Sequence, residues 1–167
     1  LFDHLYDFHF WIRIILAIVC GFTVGIERQL KGKPVGVRTS ILICLGTMTF
    51  MRLGMHIGDD MIIGQTDPTR TLGQIITGVG FLGAGVIMNL RGTVIGVTSA
   101  AVVWLLAAIG CAIGIDRFDF AVVMAILSTS ILVGVQFLET KTKLFRKEVH
   151  DESGIMKKNP QYEKEFL

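Results

Sequence analysis

DPTRTLGQIITGVGFLGAGVIM, residues 67–88, joins a charged start to a glycine-rich apolar run. It opens with Asp67 and Arg70 around Pro68, then turns apolar with Gly73, Gly78, Gly80, Gly83 and Gly85 embedded. In water that many glycines weaken a helix, each by about 1 kcal/mol against alanine. In a membrane the same glycines let a helix come backbone-close to its neighbours. A competing reading is a phosphate loop, because Gly78, Gly80 and Gly83 have GxGxxG spacing. That motif requires a preceding strand and an acid about 20 residues on. No strand pattern precedes it and its surroundings are apolar, so the stretch reads as a membrane span.

The rest of the chain agrees. Of 167 residues, 51% are hydrophobic and 18% charged, against roughly 25% charged in a soluble domain; the mean hydropathy is +0.61. Long apolar runs separate short polar clusters, the pattern of a polytopic membrane protein. A net charge of +2, with no basic face interleaved with aromatics, gives no sign of a nucleic-acid partner. Cys20, Cys44 and Cys111 all lie in apolar runs and form no CxxC, so they read as small buried hydrophobes. The beginning, LFDHLYDFHF, has no basic region before its apolar run and does not read as a signal peptide; it also lacks an initiating Met.

Five apolar segments, at about 10–26, 37–57, 71–88, 94–115 and 118–138, are each near the ~20 residues a bilayer-crossing helix needs. The expected fold is therefore all-α, with five transmembrane helices over residues 1–138 and a polar tail over 139–167. Basic residues set the orientation. Arg28, Lys31, Lys33 and Arg38, then Arg91, then Lys141, Lys143, Arg146 and Lys147 fall on one side. Arg13, Arg70, Arg117 and most acids, including Asp59, Asp60, Asp67 and Asp116, fall on the other. This places the N-terminus outside and the C-terminus and tail in the cytoplasm. The basic start of the tail reads either as a contact with anionic lipid headgroups or as a plain stop-transfer flank.

Small residues recur at helical spacing: Gly21 with Gly25, Gly80 with Ala84, and Gly110 with Gly114. With Gly78, Gly83 and Gly85 they are the expected packing seams of a compact bundle, within one chain or in a homo-oligomer. Asp67 and Pro68 have the form of a helix start, an acid cap followed by proline at the first helical position. Arg70 then either pairs with Asp67 or holds another charged group, and Asp67 with Asp59 and Asp60 would offer oxygen ligands suited to magnesium. On the other side, Glu27, Arg28 and Arg38 flank the connection between the first two spans. Either Glu27 pairs with Arg38 across facing helix ends, or the basic residues simply hold a loop inside. Gln74, Thr77, Thr47, Thr49, Thr98 and Ser99 are expected to hydrogen-bond between helices. No Ser/His/Asp set, HExxH or catalytic carboxylate pair occurs, so no enzyme activity, cofactor or resident metal is expected.

In several of these segments the chain resembles the MgtC/SapB family of bacterial inner-membrane proteins. The resemblance rests on GIERQ at 25–29, GVRTS at 36–40, DPTR at 67–70, GVGFLGAG at 78–85 and RGTVIGVTSAAVVWLLAAIG at 91–110. It implies a multi-pass protein with a cytoplasmic C-terminus, of a short branch without the C-terminal cytoplasmic domain of longer relatives. It also implies links to magnesium homeostasis and stress, and in pathogens to survival in phagocytes and restraint of ATP synthase. A membrane-protein partner, such as ATP synthase or a magnesium transporter, is expected alongside membrane lipid. Thr98 stands where the virulence branch has Asn, which weakens transfer of the ATP synthase link. By motif, the functional positions implied are Glu27, Arg28, Arg38, Asp67, Arg70 and Arg91, as charged pairs or partner contacts.

Overall fold

The computed structural model describes residues 8–60, 68–90 and 93–141. Five helices are present: α1 (Phe8–Leu30), α2 (Val37–Asp60), α3 (Pro68–Val86), α4 (Val97–Gly114) and α5 (Phe118–Lys141). They follow the five expected segments closely, and the architecture is all-helical. α5 runs through the expected boundary at residue 138 without a break. One local correction falls between α3 and α4, where helix was expected up to Met88 and from Val94. There β1 (Met88–Leu90) and β2 (Thr93–Ile95) form an antiparallel hairpin, with Met88 opposite Ile95 and Leu90 opposite Thr93. The β-branched run Thr93, Val94, Ile95 suits a strand. Gly96, at φ 88°, then closes the turn into α4, and any added Cβ there would run into the Val86 carbonyl oxygen.

Helix ends follow local rules. α1 stops in a Schellman motif: the Lys33 N–H donates to the Arg28 carbonyl and the Gly32 N–H to that of Gln29, with Gly32 at φ 61°. α4 stops in the same way, with Arg117 N–H to Ala112 O and Asp116 N–H to Ile113 O. Here the left-handed position, φ 63°, is taken by Asp116, not by glycine. The Gln29 side-chain oxygen accepts from the Val37 N–H at 3.2 Å and so caps α2.

α4 is the central helix and packs against the other four. It is apolar all round, as a helix enclosed by others should be. Its Leu106, Ile109 and Ile113 are completely buried, with Ala17 and Val24 of α1, Cys44 of α2 and Ala121 of α5. Glycines permit the tightest crossings. A Cβ on Gly21 would sit 2.8 Å from Ile41 Cα, and one on Gly25 2.7 Å from Val37 Cα. At Gly110 it would strike Thr47 Oγ1 and come within 2.5 Å of the Cys44 carbonyl; at Gly114 it would lie 2.9 Å from that of Met48.

The α3 glycines behave differently. A Cβ on Gly83 would lie at ordinary contact distance, 3.6 Å, from Ala100 O, while one on Gly78, Gly80 or Gly85 would meet nothing within 4 Å among the described residues. Among those residues, packing at these three positions is not what the structure has. The face α3 turns to α4 is Ile75, Val79 and Gly83, four apart, and Gly78, Gly80 and Gly85 lie off it.

The outer surface is apolar on every helix: Val19, Phe50, Phe81, Trp104 and Val123 are all at least half exposed. Among the described residues, α1, α4 and α5 are long and apolar enough to cross a membrane. Hydroxyls on this surface are satisfied within their own helices. Thr49 donates to Leu45 O, Thr77 to Gly73 O and Ser130 to Ile126 O, the i−4 bonding that spares a hydroxyl an unmet bond in an apolar setting. Thr47 likewise donates to Ile43 O. The expected helix-to-helix bonds from Thr47, Thr49 and Thr77 are therefore corrected to bonds within α2 and α3.

Candidate functional site

Charged side chains gather at the two ends of the bundle. One end collects the C-terminus of α1, the start of α2, the first turn of α4 and the far end of α5. Glu27 and Arg28 are consecutive in α1, both over nine-tenths buried. Arg28 Nη2 donates to Ser99 Oγ at 2.6 Å, joining α1 to α4, and Ser99 is itself 2% exposed. Glu27 Oε1 pairs with Lys31 Nζ at 2.6 Å, one turn on. The same Nζ reaches the Leu132 carbonyl of α5 at 3.5 Å. Glu27 Oε2 is buried and has no hydrogen-bond partner among the described residues. A buried carboxylate beside a buried guanidinium is costly unless both are bonded; the bonds from Arg28 to Ser99 and from Lys31 to Leu132 tie α1 and its C-terminal turn to α4 and α5 here.

Of the two readings of this connection, the pair of Glu27 with Arg38 is not the one the structure has. Arg38 is exposed on the first turn of α2, and Lys31, one turn on from Glu27 and just past the end of α1, takes the carboxylate. Arg70 is exposed on the first turn of α3, at the opposite end of the bundle. Asp67 and Arg91 lie outside the described residues, and so does any pair between Asp67 and Arg70. Asp59 and Asp60 end α2. Among the described residues, no three His, Cys, Asp or Glu side chains gather as a metal site.

The other end holds a second cluster that sequence reasoning did not assemble. Arg13, 7% exposed, grips Asp116 with both arms: Nε to Oδ1 at 2.7 Å and Nη2 to Oδ2 at 2.9 Å. Arg52 of α2 approaches Asp116 Oδ2 at 3.7 Å. The α1 start, the α2 end and the α4–α5 turn are thus tied at one carboxylate. The hydrogen bonds from Arg13 hold that carboxyl below the usual carboxylate range; the charges of Arg13, Arg52 and His9 act in the same direction, and partial burial opposes them. The available signal was Arg13 itself, an ionisable residue inside an apolar run that needed a partner. Ser99 makes the helix-to-helix hydrogen bond expected of it, with Arg28 as its partner; Lys31 gave no comparable signal.

Helices that are apolar outward and tied at their ends by bonds from the buried side chains of Arg13 and Arg28 define an α-helical membrane protein. The family model described as the MgtC family matches residues 14–141, and the chain belongs to that family. It is 36% identical over 145 residues to the "Putative magnesium transporter YhiD" of Escherichia coli K12, covering 84% of this chain and 66% of that protein. It is 36% identical over 132 residues to "Protein SapB" of Bacillus subtilis, covering 76% and 55%. It is 34% identical over 110 residues to "Protein MgtC" of Brucella abortus strain 2308, covering 66% and 44%. The chain thus spans between under half and two thirds of the length of these relatives. No solved structure matches it.

Proposed function

We propose that this chain is a non-enzymatic, five-span protein of the bacterial inner membrane that modulates another membrane complex under magnesium limitation or acid stress. One observation carries the reading. The buried ionic side chains Arg13, Arg28 and Glu27 are spent on fixed bonds to Asp116, Ser99 and Lys31, inside an interior closed by backbone-close crossings at Gly21, Gly25, Gly110 and Gly114. A coupled transporter needs ionisable groups that change partners along a path; these groups act as fasteners. The distribution of basic residues supports an outside N-terminus and a cytoplasmic C-terminus. It also puts the Glu27 and Arg28 cluster at the cytoplasmic face, where a partner would meet Arg38 and the α3–α4 hairpin. The name of one relative, the putative magnesium transporter YhiD, supports the link to magnesium, and the partner would be a magnesium transporter or the ATP synthase.

A second reading, an oligomeric permeation protein for magnesium or another ion, is favoured by α3. Its Gly78, Gly80 and Gly85 meet no neighbour among the described residues, so α3 offers room for close approach by another copy. Flux of magnesium into liposomes carrying the purified protein separates the two. Magnesium-dependent flux abolished by Asp67→Asn would sink the regulator reading. Absence of flux, together with a membrane complex that co-purifies from the native membrane, would sink the pore.

A further inference from the structure

Between α3 and α5 the surface of α4 is open, and a cavity of about 390 Å³ lies there. Its walls include Leu72 and Ile76 of α3 and Phe120 of α5, and its floor includes Trp104 and Ala108 of α4. Arg117, in the α4–α5 turn, stands at its mouth and is the charged residue in an otherwise apolar lining. The volume falls in the ~300–1,000 Å³ range of small-molecule sites.

The dimensions select the occupant. From Ile115, beside the mouth, down to Trp104 is eleven residues of helix, about 16 Å at the α-helical rise. That is close to half of the ~30 Å hydrocarbon core, the depth of one leaflet. The lining is apolar over that length, which suits a hydrocarbon chain. At the mouth, Arg117 donates Nε and Nη2 to Asp119, both at 3.3 Å and in the open. Long, exposed bonds of this kind are weak, and Nη1 remains directed to neither, so the fork can take a second anion.

We propose that this groove binds a phospholipid of the leaflet at the α4–α5 end of the bundle, with one acyl chain between α3 and α5 and the phosphate on Arg117. The site does not depend on whether the protein regulates or conducts. The chain has two tryptophans, so Trp11→Phe leaves Trp104 as the sole reporter on the groove floor. This protein is placed in phosphatidylcholine bilayers doped with phosphatidylglycerol brominated along its acyl chains. The expected result is Trp104 quenching that saturates at a mole fraction of brominated lipid well below that for random mixing. Ala108→Phe, which fills the groove, returns quenching to the random level. Arg117→Gln lowers the preference for phosphatidylglycerol over phosphatidylcholine by about fivefold, the scale of one basic side chain at an anionic surface. Arg117 is exposed, so that variant carries the test if Ala108→Phe does not fold. Random-mixing quenching in the parent protein overturns the proposal, as does an unchanged lipid preference in Arg117→Gln. Quenching that falls as protein is concentrated in the bilayer would seat a second copy in the groove, and also overturns it.

Discussion

Adding one methyl group at Gly110 separates the two kinds of glycine in this chain. In Gly110→Ala the new Cβ collides with Thr47 Oγ1 and comes 2.5 Å from Cys44 O and 3.1 Å from Cys44 Cα. The threonine can rotate away, but the backbone at Cys44 yields only if α2 moves off α4. Overpacking of that kind costs about 1–3 kcal/mol, and backbone contact puts this site near the upper end. Alanine returns up to about 1 kcal/mol through helix propensity, so the net loss is about 1–2 kcal/mol. Gly80→Ala is the control: nothing lies within 4 Å of its Cβ, and its stability is expected to hold or rise slightly. Equilibrium unfolding in mild detergent, driven by increasing mole fractions of dodecyl sulfate, measures both. Thr47→Ala in the Gly110→Ala background removes the first collision and recovers part of the loss, with a coupling above the ~0.5 kcal/mol that independent sites show. Equal losses at positions 110 and 80, or strict additivity of Thr47→Ala with Gly110→Ala, would refute the packing assigned to α2 and α4.

Three further outcomes are expected. Glu27→Gln and Arg38→Gln should be additive in stability, whereas Glu27→Gln and Lys31→Met should couple by roughly 0.5–1 kcal/mol, since Lys31 is partly exposed; a larger coupling to Arg38 would reverse the assignment. Ser99→Ala, which leaves the buried Arg28 Nη2 without its 2.6 Å acceptor, should cost about 1–3 kcal/mol by the same unfolding assay, with Ser99→Thr retaining most of it. Asp116 binds its proton less readily folded than unfolded, so its contribution is complete above the ordinary carboxylate range and is lost as pH falls through its lowered folded value. Unfolding midpoints followed downward in pH should show that loss, and Asp116→Asn should remove it; an unchanged acid profile in Asp116→Asn would count against the Arg13 clamp.

The helices were legible because span length and apolar run length are the same quantity. The five runs became α1 to α5 with small shifts at their ends. What failed was pairing. Glu27 was recognised as a carboxylate in need of a partner, and Arg38 was the obvious cation across a short connection. The structure turns Arg38 outward and gives the carboxylate to Lys31. Arg13 and Asp116 are 103 residues apart; an arginine in an apolar run announces a need, and nothing local tells which acid meets it. The hairpin at 88–95 was missed because three-residue strands are too short for an alternating pattern to stand out from the apolar runs around them.

By itself the sequence determined the solvent. Its apolar excess, the spacing of its charges and its glycine-rich third run are properties of composition and order, and they specify helices facing lipid and the family they belong to. Which glycines are contacts and which are open, and which charges are fasteners, follows from how the helices pack. Gly110 and Gly80 are alike as residues in apolar helices, yet one lies against the backbone of Cys44 and the other faces outward. That difference depends on how α2, α3 and α4 rotate about their axes. Rotation is set by the sum of packing between helices, and no single segment carries it. The same holds for residues 67–88: the run is a helix by its composition, and the stripe it turns to α4 is Ile75, Val79 and Gly83 because of what α4 presents to it.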